Sequence, residues 1–350
     1  MRGLYIHVPF CLSKCPYCDF YSRVYCGEQA AEYAAAVVRN LARYDEPFDT
    51  VYFGGGTPIL LHEHFGEILR SVNLSEGADI TAEANPCLCS RENLRDLLRA
   101  GVNRISIGVQ SLHDGELSAL GRRHTAAEAE AAILAAKAEG FDNISADLML
   151  ATPKQNADSL RETLSRLTAL PISHVSAYLL KIEPNTPFGK NPPELSLGED
   201  ETAELYLSAV EQLSAAGFAQ YEISNFAKAG FKSRHNLKYW RREEYLGIGP
   251  AAHSFYEGKR FAVPRDLAAF LATKEQPTEP TDDSPDEFEE RVMLGLRLSE
   301  GIPEELWKPL SGGLKRVPQN YYRIQNGRLS LTAEGFLLSN EIISLLLAER

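Results

Sequence analysis

Apolar residues in the first half of the chain fall into short runs that are typical of buried strands, and these runs alternate with amphipathic helical patterns. The predicted strands are Leu4–Val8, Thr50–Phe53, Asp79–Glu83, Arg104–Val109, Asn143–Leu148 and His174–Leu180. The predicted helices are Ala30–Arg43, His62–Ser71, Arg91–Ala100, Ala126–Glu139 and Ser159–Leu167. This alternation predicts an α/β fold of βαβ units with a parallel sheet. Because six strands are two fewer than a closed (β/α)8 barrel contains, we expect an open, partial (β/α)6 TIM-type barrel.

The second half of the chain changes character. A helical pattern at Glu199–Ala216 precedes a segment rich in aromatic and basic residues, and the Pro- and acid-rich stretch at 273–286 is typical of an exposed linker. The remaining residues predict a helix, a short strand and an amphipathic helix, hence a small α+β unit of the winged-helix type. We therefore divide the chain into a core at 1–230, an aromatic and basic segment with a linker at 231–285, and a C-terminal domain at 286–350.

Charge and composition narrow the class of protein. The formal net charge is −12, which argues against a broad nucleic-acid interface, since phosphate binding depends on clustered positive charge. The sequence begins without the long apolar run of a signal peptide, and we expect a cytoplasmic protein.

Three of the six cysteines lie close together in the sequence, at Cys11, Cys15 and Cys18. Thiolates suit iron–sulfur clusters, which normally take four cysteines, so a triplet leaves one iron open to a substrate or cosubstrate. A structural zinc site completed by His7 or Cys26 is the alternative. We favour the cluster because zinc ligands usually come as two separate pairs, and we expect Cys26, Cys87 and Cys89 to be plain thiols.

Polar residues and glycines follow four of the predicted strands at their carboxyl ends, where the sites of parallel α/β barrels gather. They are Gly54, Gly55, Gly56 and Thr57 after the second strand, Glu83 after the third, Gln110 after the fourth and Asp147 near the end of the fifth. The glycines could admit a ligand close to the backbone or form only a tight turn. The polar side chains could bind a ligand or serve as helix caps, ion-pair partners or partners for buried backbone groups.

The segments HVPFCLSKCPYCDF and YFGGGTP together resemble the radical S-adenosylmethionine (SAM) superfamily, and within it the coproporphyrinogen III dehydrogenase-like group. The resemblance extends over essentially the whole chain. It implies a [4Fe–4S] cluster whose open iron binds the methionine part of SAM, and reductive cleavage of SAM to a 5′-deoxyadenosyl radical. It also implies a radical SAM core at 1–230 and a SAM site formed by Tyr5, Gly55, Gly56, Thr57, Glu83, Gln110, Arg122 and Asp147.

Individual roles follow from the same resemblance. The glycines and Thr57 would contact the methionine end of SAM, Asp147 the ribose, and Arg122 the carboxylate or Glu83. Where the superfamily usually has a glycine and an apolar residue after the fifth strand, this chain has Ala151 and Thr152, so we expect the loop there to differ in shape.

Two features favour the heme chaperone branch of the group over the dehydrogenases. Phe20 stands where the dehydrogenases carry a fourth cysteine, and their N-terminal extension is missing. HNxxYW at 235–240 and GIGPAAHS at 247–254 resemble motifs of the chaperone branch, and we favour His235 over His253 as an axial heme ligand. The branch implies a protein that binds heme, SAM and the cluster and transfers heme to an acceptor protein, which could be membrane-associated, with an electron donor for the cluster.

Two alternatives stay open. The chain could catalyse oxidative decarboxylation of coproporphyrinogen III, or it could be a radical enzyme for another substrate. A run of six basic residues from Lys228 to Arg242 could meet heme propionates, form a solvated face or dock an acidic partner.

Overall fold

A computed structural model describes residues 1–195, 197–282 and 285–348. Its strands are β1 (Arg2–Val8), β2 (Phe10–Cys11), β3 (Arg23–Val24), β4 (Phe48–Gly55), β5 (Leu74–Ala84), β6 (Arg104–Gln110), β7 (Asn143–Leu150), β8 (His174–Leu179), β9 (Ala219–Glu222), β10 (Asn225–Ala227), β11 (Tyr245–Ile248), β12 (His253–Tyr256), β13 (Lys259–Ala262), β14 (Glu279–Asp282), β15 (Ile302–Pro303), β16 (Tyr322–Gln325) and β17 (Arg328–Leu331).

The helices are α1 (Gly27–Leu41), α2 (Phe65–Arg70), α3 (Arg91–Ala100), α4 (Asp114–Ala119), α5 (Ala126–Glu139), α6 (Ala157–Thr168), α7 (Pro187–Lys190), α8 (Glu199–Ala215), α9 (Arg234–Trp240), α10 (Leu267–Ala272), α11 (Glu287–Gly295), α12 (Glu304–Trp307), α13 (Ser311–Leu314), α14 (Ala333–Leu337) and α15 (Ser339–Leu347). Short 3₁₀ helices occur at Pro58–His64, Pro86–Leu88, Lys308–Leu310 and Gln319–Tyr321. Within the described part of the chain, no helix combines the length and the apolar character that crossing a membrane requires.

The six predicted strands form a parallel array in the order β1-β4-β5-β6-β7-β8, with helices between them, so the predicted α/β partial barrel is confirmed. A seventh parallel strand, β11, pairs with the free edge of β1 and extends the array. Because parallel strands end at the same edge, the loops after β1, β4, β5, β6 and β7 meet at one rim.

The segment at 231–285 differs from its predicted role as a separate segment and linker. It supplies β11, β12, β13 and β14, which continue the main sheet beyond β1 to give the order β14-β13-β12-β11-β1. Its apolar residues Leu246, Ile248 and Phe270 belong to the same hydrophobic core as β1. The composition at β14 is typical of a linker although the residues form a strand. This strand, with the sequence Glu-Pro-Thr-Asp, lies exposed at the edge of the sheet, where proline and charge are tolerated. Residues 283 and 284 of that linker lie outside the described residues.

The C-terminal unit has its own hydrophobic core, which runs from Val292 to Leu346. Its three-stranded antiparallel sheet has the order β15-β17-β16, and the chain order α11-β15-α12-α13-β16-β17 is that of a winged helix. The unit also pairs with the backbone at the edge strand β9. Ile223 N–H donates to the Arg297 carbonyl and Ser299 N–H donates to the Tyr221 carbonyl, each at 3.0 Å.

Candidate functional site

The three clustered cysteines lie in and after β2, at the rim where β1 ends. A turn is closed by Cys18 N–H, which donates to the Cys15 carbonyl at 3.1 Å, and all three side chains are half-buried. Two of the sulfurs face hydrogen-bond donors, since Thr57 Oγ1 lies 3.5 Å from Cys11 Sγ and Arg122 Nη1 lies 3.5 Å from Cys15 Sγ. Such donors stabilise thiolates, the form that binds iron.

The zinc alternative requires His7 or Cys26 as a further ligand beside the three cysteines. Both nitrogens of His7 are already used: Nδ1 accepts from Tyr5 Oη at 3.0 Å, and Nε2 donates to the Tyr21 carbonyl at 2.9 Å. Cys26 is exposed just before α1. Three half-buried thiols with local donors suit an iron–sulfur cluster, in which each thiolate binds a different iron.

The glycines after β4 support the cysteine loop. Gly56 N–H donates to the Val8 carbonyl and Thr57 N–H to the Phe10 carbonyl, both at 2.7 Å. A side chain at Gly56 would place its Cβ 2.5 Å from the Phe10 carbonyl oxygen. The N–H groups of Gly56 and Thr57 are thus occupied within the protein, where they bind the end of β1 and the β2 backbone. The absence of a side chain at Gly56 allows the turn after β4 to approach β2 closely.

The side chains of Glu83 on β5 and Asp147 on β7 are half-buried. Tyr52 Oη donates to Glu83 Oε1 at 2.8 Å, and Ser106 Oγ donates to Asp147 Oδ1 at 2.9 Å. Burial and the nearby charge of Asp147 raise the pKa of Glu83 to about 7, and burial raises the pKa of Asp147 above its usual range. Two carboxylates held this way favour a cationic or hydroxyl-bearing ligand between them.

Gln110 and Ala151 occupy the ends of β6 and β7 in left-handed backbone conformations, with φ of 66° and 56°. The φ of Ala151 is one that glycine adopts without strain. The loop after β7 therefore takes a backbone conformation that suits the glycine expected there, in spite of the substitution.

Arg122 contacts the cysteine loop. Its Nη2 donates to Asn85 Oδ1 at 2.8 Å and to the Gly108 carbonyl at 3.0 Å, and its Nη1 faces Cys15 Sγ. Its hydrogen bonds thus do not go to Glu83, one of the two neighbours that the family resemblance implies. Arg122 instead joins the ends of β5 and β6 to the cysteine loop.

Arg104, which the sequence reasoning missed, is a cation whose charge acts on both half-buried carboxylates. Its side chain is 1% exposed, and its Nε and Nη1 have no hydrogen-bond partner among the described residues. Its charge acts to lower the pKa of both Glu83 and Asp147. The available signal for Arg104 was the single charge at the start of the apolar run RISIGVQ. Asn85, also missed, lies two residues after Glu83.

His235, the predicted axial heme ligand, lies inside the protein with both ring nitrogens hydrogen bonded. Its side chain is fully buried, Nδ1 is hydrogen bonded to Thr50 Oγ1 at 2.8 Å, and Nε2 is hydrogen bonded to Tyr239 Oη at 2.7 Å. Its ring stacks on Tyr52, with 5.3 Å between centroids. The assignment of His235 as an axial ligand stays a prediction, and the structure does not favour it: the residue joins α9 to the barrel, and binding iron would break one of its hydrogen bonds.

The basic run at 228–242 is largely neutralised within the protein. Lys238 is buried against Asp49, Arg241 pairs with Glu300 and Arg242 pairs with Glu290. Arg234 also lies 3.5 Å from Asp49. The run is thus mainly a set of structural ion pairs, and the hypothesis of a free basic patch for propionates loses its basis there.

A pocket of about 350 Å³ opens beside β1 and the cysteine loop. It is lined by Tyr5, His7, Phe20, Tyr21, Tyr239, Tyr245, Ala251, His253 and Arg265. We call it the aromatic pocket, because five of these nine residues are Phe or Tyr. It adjoins the candidate SAM site through Tyr5.

Comparisons with known proteins place this geometry in a family. Residues 5–167 match the model of the radical SAM superfamily. The chain is 34% identical to the heme chaperone HemW of Haemophilus influenzae, over 99% of this chain and 98% of that protein. It is 35% identical to the heme chaperone HemW of Escherichia coli, again over 99% and 98%. The chain belongs to the HemW family of radical SAM proteins.

A solved structure agrees in fold. The coproporphyrinogen III oxidase HemN of Escherichia coli, a radical SAM enzyme, superposes with a TM-score of 0.80 over 98% of this chain and 89% of that one, at 18% identity. At this identity the likeness concerns the fold alone. Membership of the radical SAM superfamily implies a [4Fe–4S] cluster and SAM, and the thiol triplet and polar rim described above suit both groups.

Proposed function

We propose that this HemW family member is a heme chaperone that binds heme, a [4Fe–4S] cluster and SAM, transfers heme to an acceptor protein and acts in the cytoplasm. The observation that carries the proposal is the match, over nearly the full length of both chains, to relatives that are themselves named heme chaperones. Full-length agreement includes the C-terminal unit, so it is not a likeness of the barrel alone.

The position of Phe20 supports this function over decarboxylation of coproporphyrinogen III. Its side chain is 64% exposed and lines the aromatic pocket beside the cysteine loop. An exposed phenyl ring next to an aromatic pocket suits a flat apolar ligand. A cysteine at this position, which the dehydrogenases carry, would offer no such surface.

In the proposed function, Cys11, Cys15 and Cys18 hold the cluster, and Thr57 and Arg122 stabilise two of the thiolates. When reduced, a [4Fe–4S] cluster supplies the single electron that cleaves the sulfonium of SAM.

The proposed SAM site is the rim and the barrel interior beneath it. It comprises Tyr5, Gly55, Gly56, Thr57, Glu83, Gln110, Arg122 and Asp147. The methionine end lies at the rim formed by Gly55, Gly56 and Thr57, Glu83 offers a carboxylate to its ammonium group, and Asp147 accepts from the ribose hydroxyls. An electron donor reduces the cluster, and the heme acceptor receives its cargo from the chain.

The test combines heme binding with an assay for the alternative. After anaerobic reconstitution, the protein is titrated with heme, then mixed with apomyoglobin as a model acceptor, and separately assayed with coproporphyrinogen III, SAM and dithionite. We expect stoichiometric heme binding, transfer to apomyoglobin and no protoporphyrinogen. Turnover to protoporphyrinogen, or no heme binding, would overturn the proposal.

A further inference from the structure

We propose that heme occupies the aromatic pocket, with His253 as an axial ligand to the iron and Arg265 paired with a propionate. The inference rests on the proposed chaperone function and assigns it a site. It replaces His235, the histidine that the sequence motif suggests.

The pocket has the surfaces that a porphyrin requires. Tyr5, Tyr21, Tyr239 and Tyr245 form its apolar lining, and the exposed ring of Phe20 stands at its edge. Its volume of about 350 Å³ is at the small end of ligand pockets, so the macrocycle would enter by one edge and leave the opposite edge uncovered. An uncovered edge suits a protein that must release its heme.

His253 offers an imidazole that the fold leaves available. It lies on β12, its side chain is exposed, and neither ring nitrogen has a hydrogen-bond partner in the part of the chain that the structure describes. The other pocket histidine, His7, has both nitrogens occupied. Although the side chain is exposed, partial desolvation against the pocket and the positive charge of Arg265 lower the pKa of His253 below its usual value, which favours the neutral imidazole.

Arg265 lies at the same pocket with an exposed guanidinium. Its partner is Asp19 of the cysteine loop, 3.5 Å away, in an ion pair where both side chains are exposed. Exposed pairs of this kind are weak, so a propionate can take the place of Asp19. A guanidinium binds a carboxylate in two parallel hydrogen bonds, which would fix the orientation of the ring.

The first experiment compares His253→Ala, His235→Ala and the control His64→Ala in heme titrations of the reconstituted protein. For His253→Ala we expect a shifted Soret band and an affinity at least about tenfold weaker. Added free imidazole should restore the wild-type spectrum, which a merely structural role would not produce. His64, on a 3₁₀ helix away from the pocket, should give a wild-type titration.

The outcomes separate the two proposals. If wild type binds heme and His253→Ala has the same spectrum and affinity, the site is wrong and the chaperone function stands. If the Soret shift and the imidazole rescue occur with His235→Ala instead, the motif histidine is the ligand. If wild type does not bind heme, the function itself fails and the site falls with it.

A second experiment tests Arg265 by removing the propionate charges from the ligand. Wild type should bind heme about tenfold more tightly than heme dimethyl ester, since the ester carries no propionate charge. Arg265→Gln should abolish this preference and leave ester binding unchanged. A preference that survives the substitution would remove Arg265 from the site.

Discussion

At the scale of single residues, Glu222 at the end of β9 is a buried carboxylate that is not part of the candidate site. It accepts hydrogen bonds from Ser224 N–H at 2.9 Å and from the side-chain amide of Asn225. Burial raises its pKa to about 7 from an ordinary value of 4.5, more than these two donors lower it. The Asn225 Oδ1 atom has no partner among the described residues, so the amide can rotate to accept a hydrogen bond from a protonated Glu222 or from a glutamine at that position.

We expect Glu222→Gln to stabilise the protein in a pH-dependent way. A raised pKa means that the folded protein binds a proton more tightly, so wild-type stability falls as pH rises from about 4.5 to about 7. The variant lacks this titration. Urea unfolding should show little difference from wild type near pH 5 and a gain of up to about 3 kcal/mol in the free energy of unfolding near pH 8. Equal differences at both pH values would contradict the assigned pKa.

At the scale of elements, the turn after β4 and the short strand β2 depend on each other. Gly56 packs against the backbone of Phe10, and a side chain there would meet backbone atoms, which cannot move aside cheaply. The cysteine loop begins at Cys11, directly after Phe10. The position of the first cluster cysteine therefore depends on the absence of a side chain at residue 56.

We expect Gly56→Ala to lower the iron and sulfide content of the reconstituted protein and to reduce its stability by about 1–3 kcal/mol. The matched control is Gly115→Ala, because a Cβ at Gly115 in α4 meets no atom within 4 Å. In a helix this alanine should be neutral or stabilising by up to about 1 kcal/mol. Full cluster content in Gly56→Ala would show that the loop does not need this contact.

The sequence predicts the strands and helices that carry a recognisable pattern within their own residues. The apolar runs at β1 and β4–β8 are long enough to be recognised, and the rim residues follow because parallel strands end together. β11–β14 escaped prediction because each has only four residues, and β11 pairs with β1 across some 240 positions of the chain. The surroundings of His235 could not be predicted for a related reason: a motif gives the residue type, but its partner Thr50 lies 185 positions away.

At the scale of the whole molecule, Glu290 connects the C-terminal unit to the main sheet. It lies on α11 and pairs with Arg242 at 2.6 Å and with Arg260 on β13, and all three side chains are mostly buried. Although burial acts to raise the pKa of Glu290, Arg260 and Arg242 lower it below its usual value. A depressed pKa means that this pairing stabilises the protein above about pH 4.5, and that the stabilisation is lost as pH falls below it.

We therefore expect Glu290→Gln to destabilise the protein by about 1–3 kcal/mol at pH 7, since two half-buried arginines lose their charged partner. The control is Glu300→Gln, because the exposed pair of Glu300 with Arg241 joins the same two parts and should contribute less than about 1 kcal/mol. Urea unfolding of wild type and both variants at pH 7 and pH 4 measures how the difference in the free energy of unfolding changes with pH. The cost of Glu290→Gln should shrink at pH 4, because the unfolded wild-type chain takes up a proton at Glu290 below about pH 4.5 while the folded protein holds the group ionised. An equal cost at both pH values would place its origin in packing instead of charge.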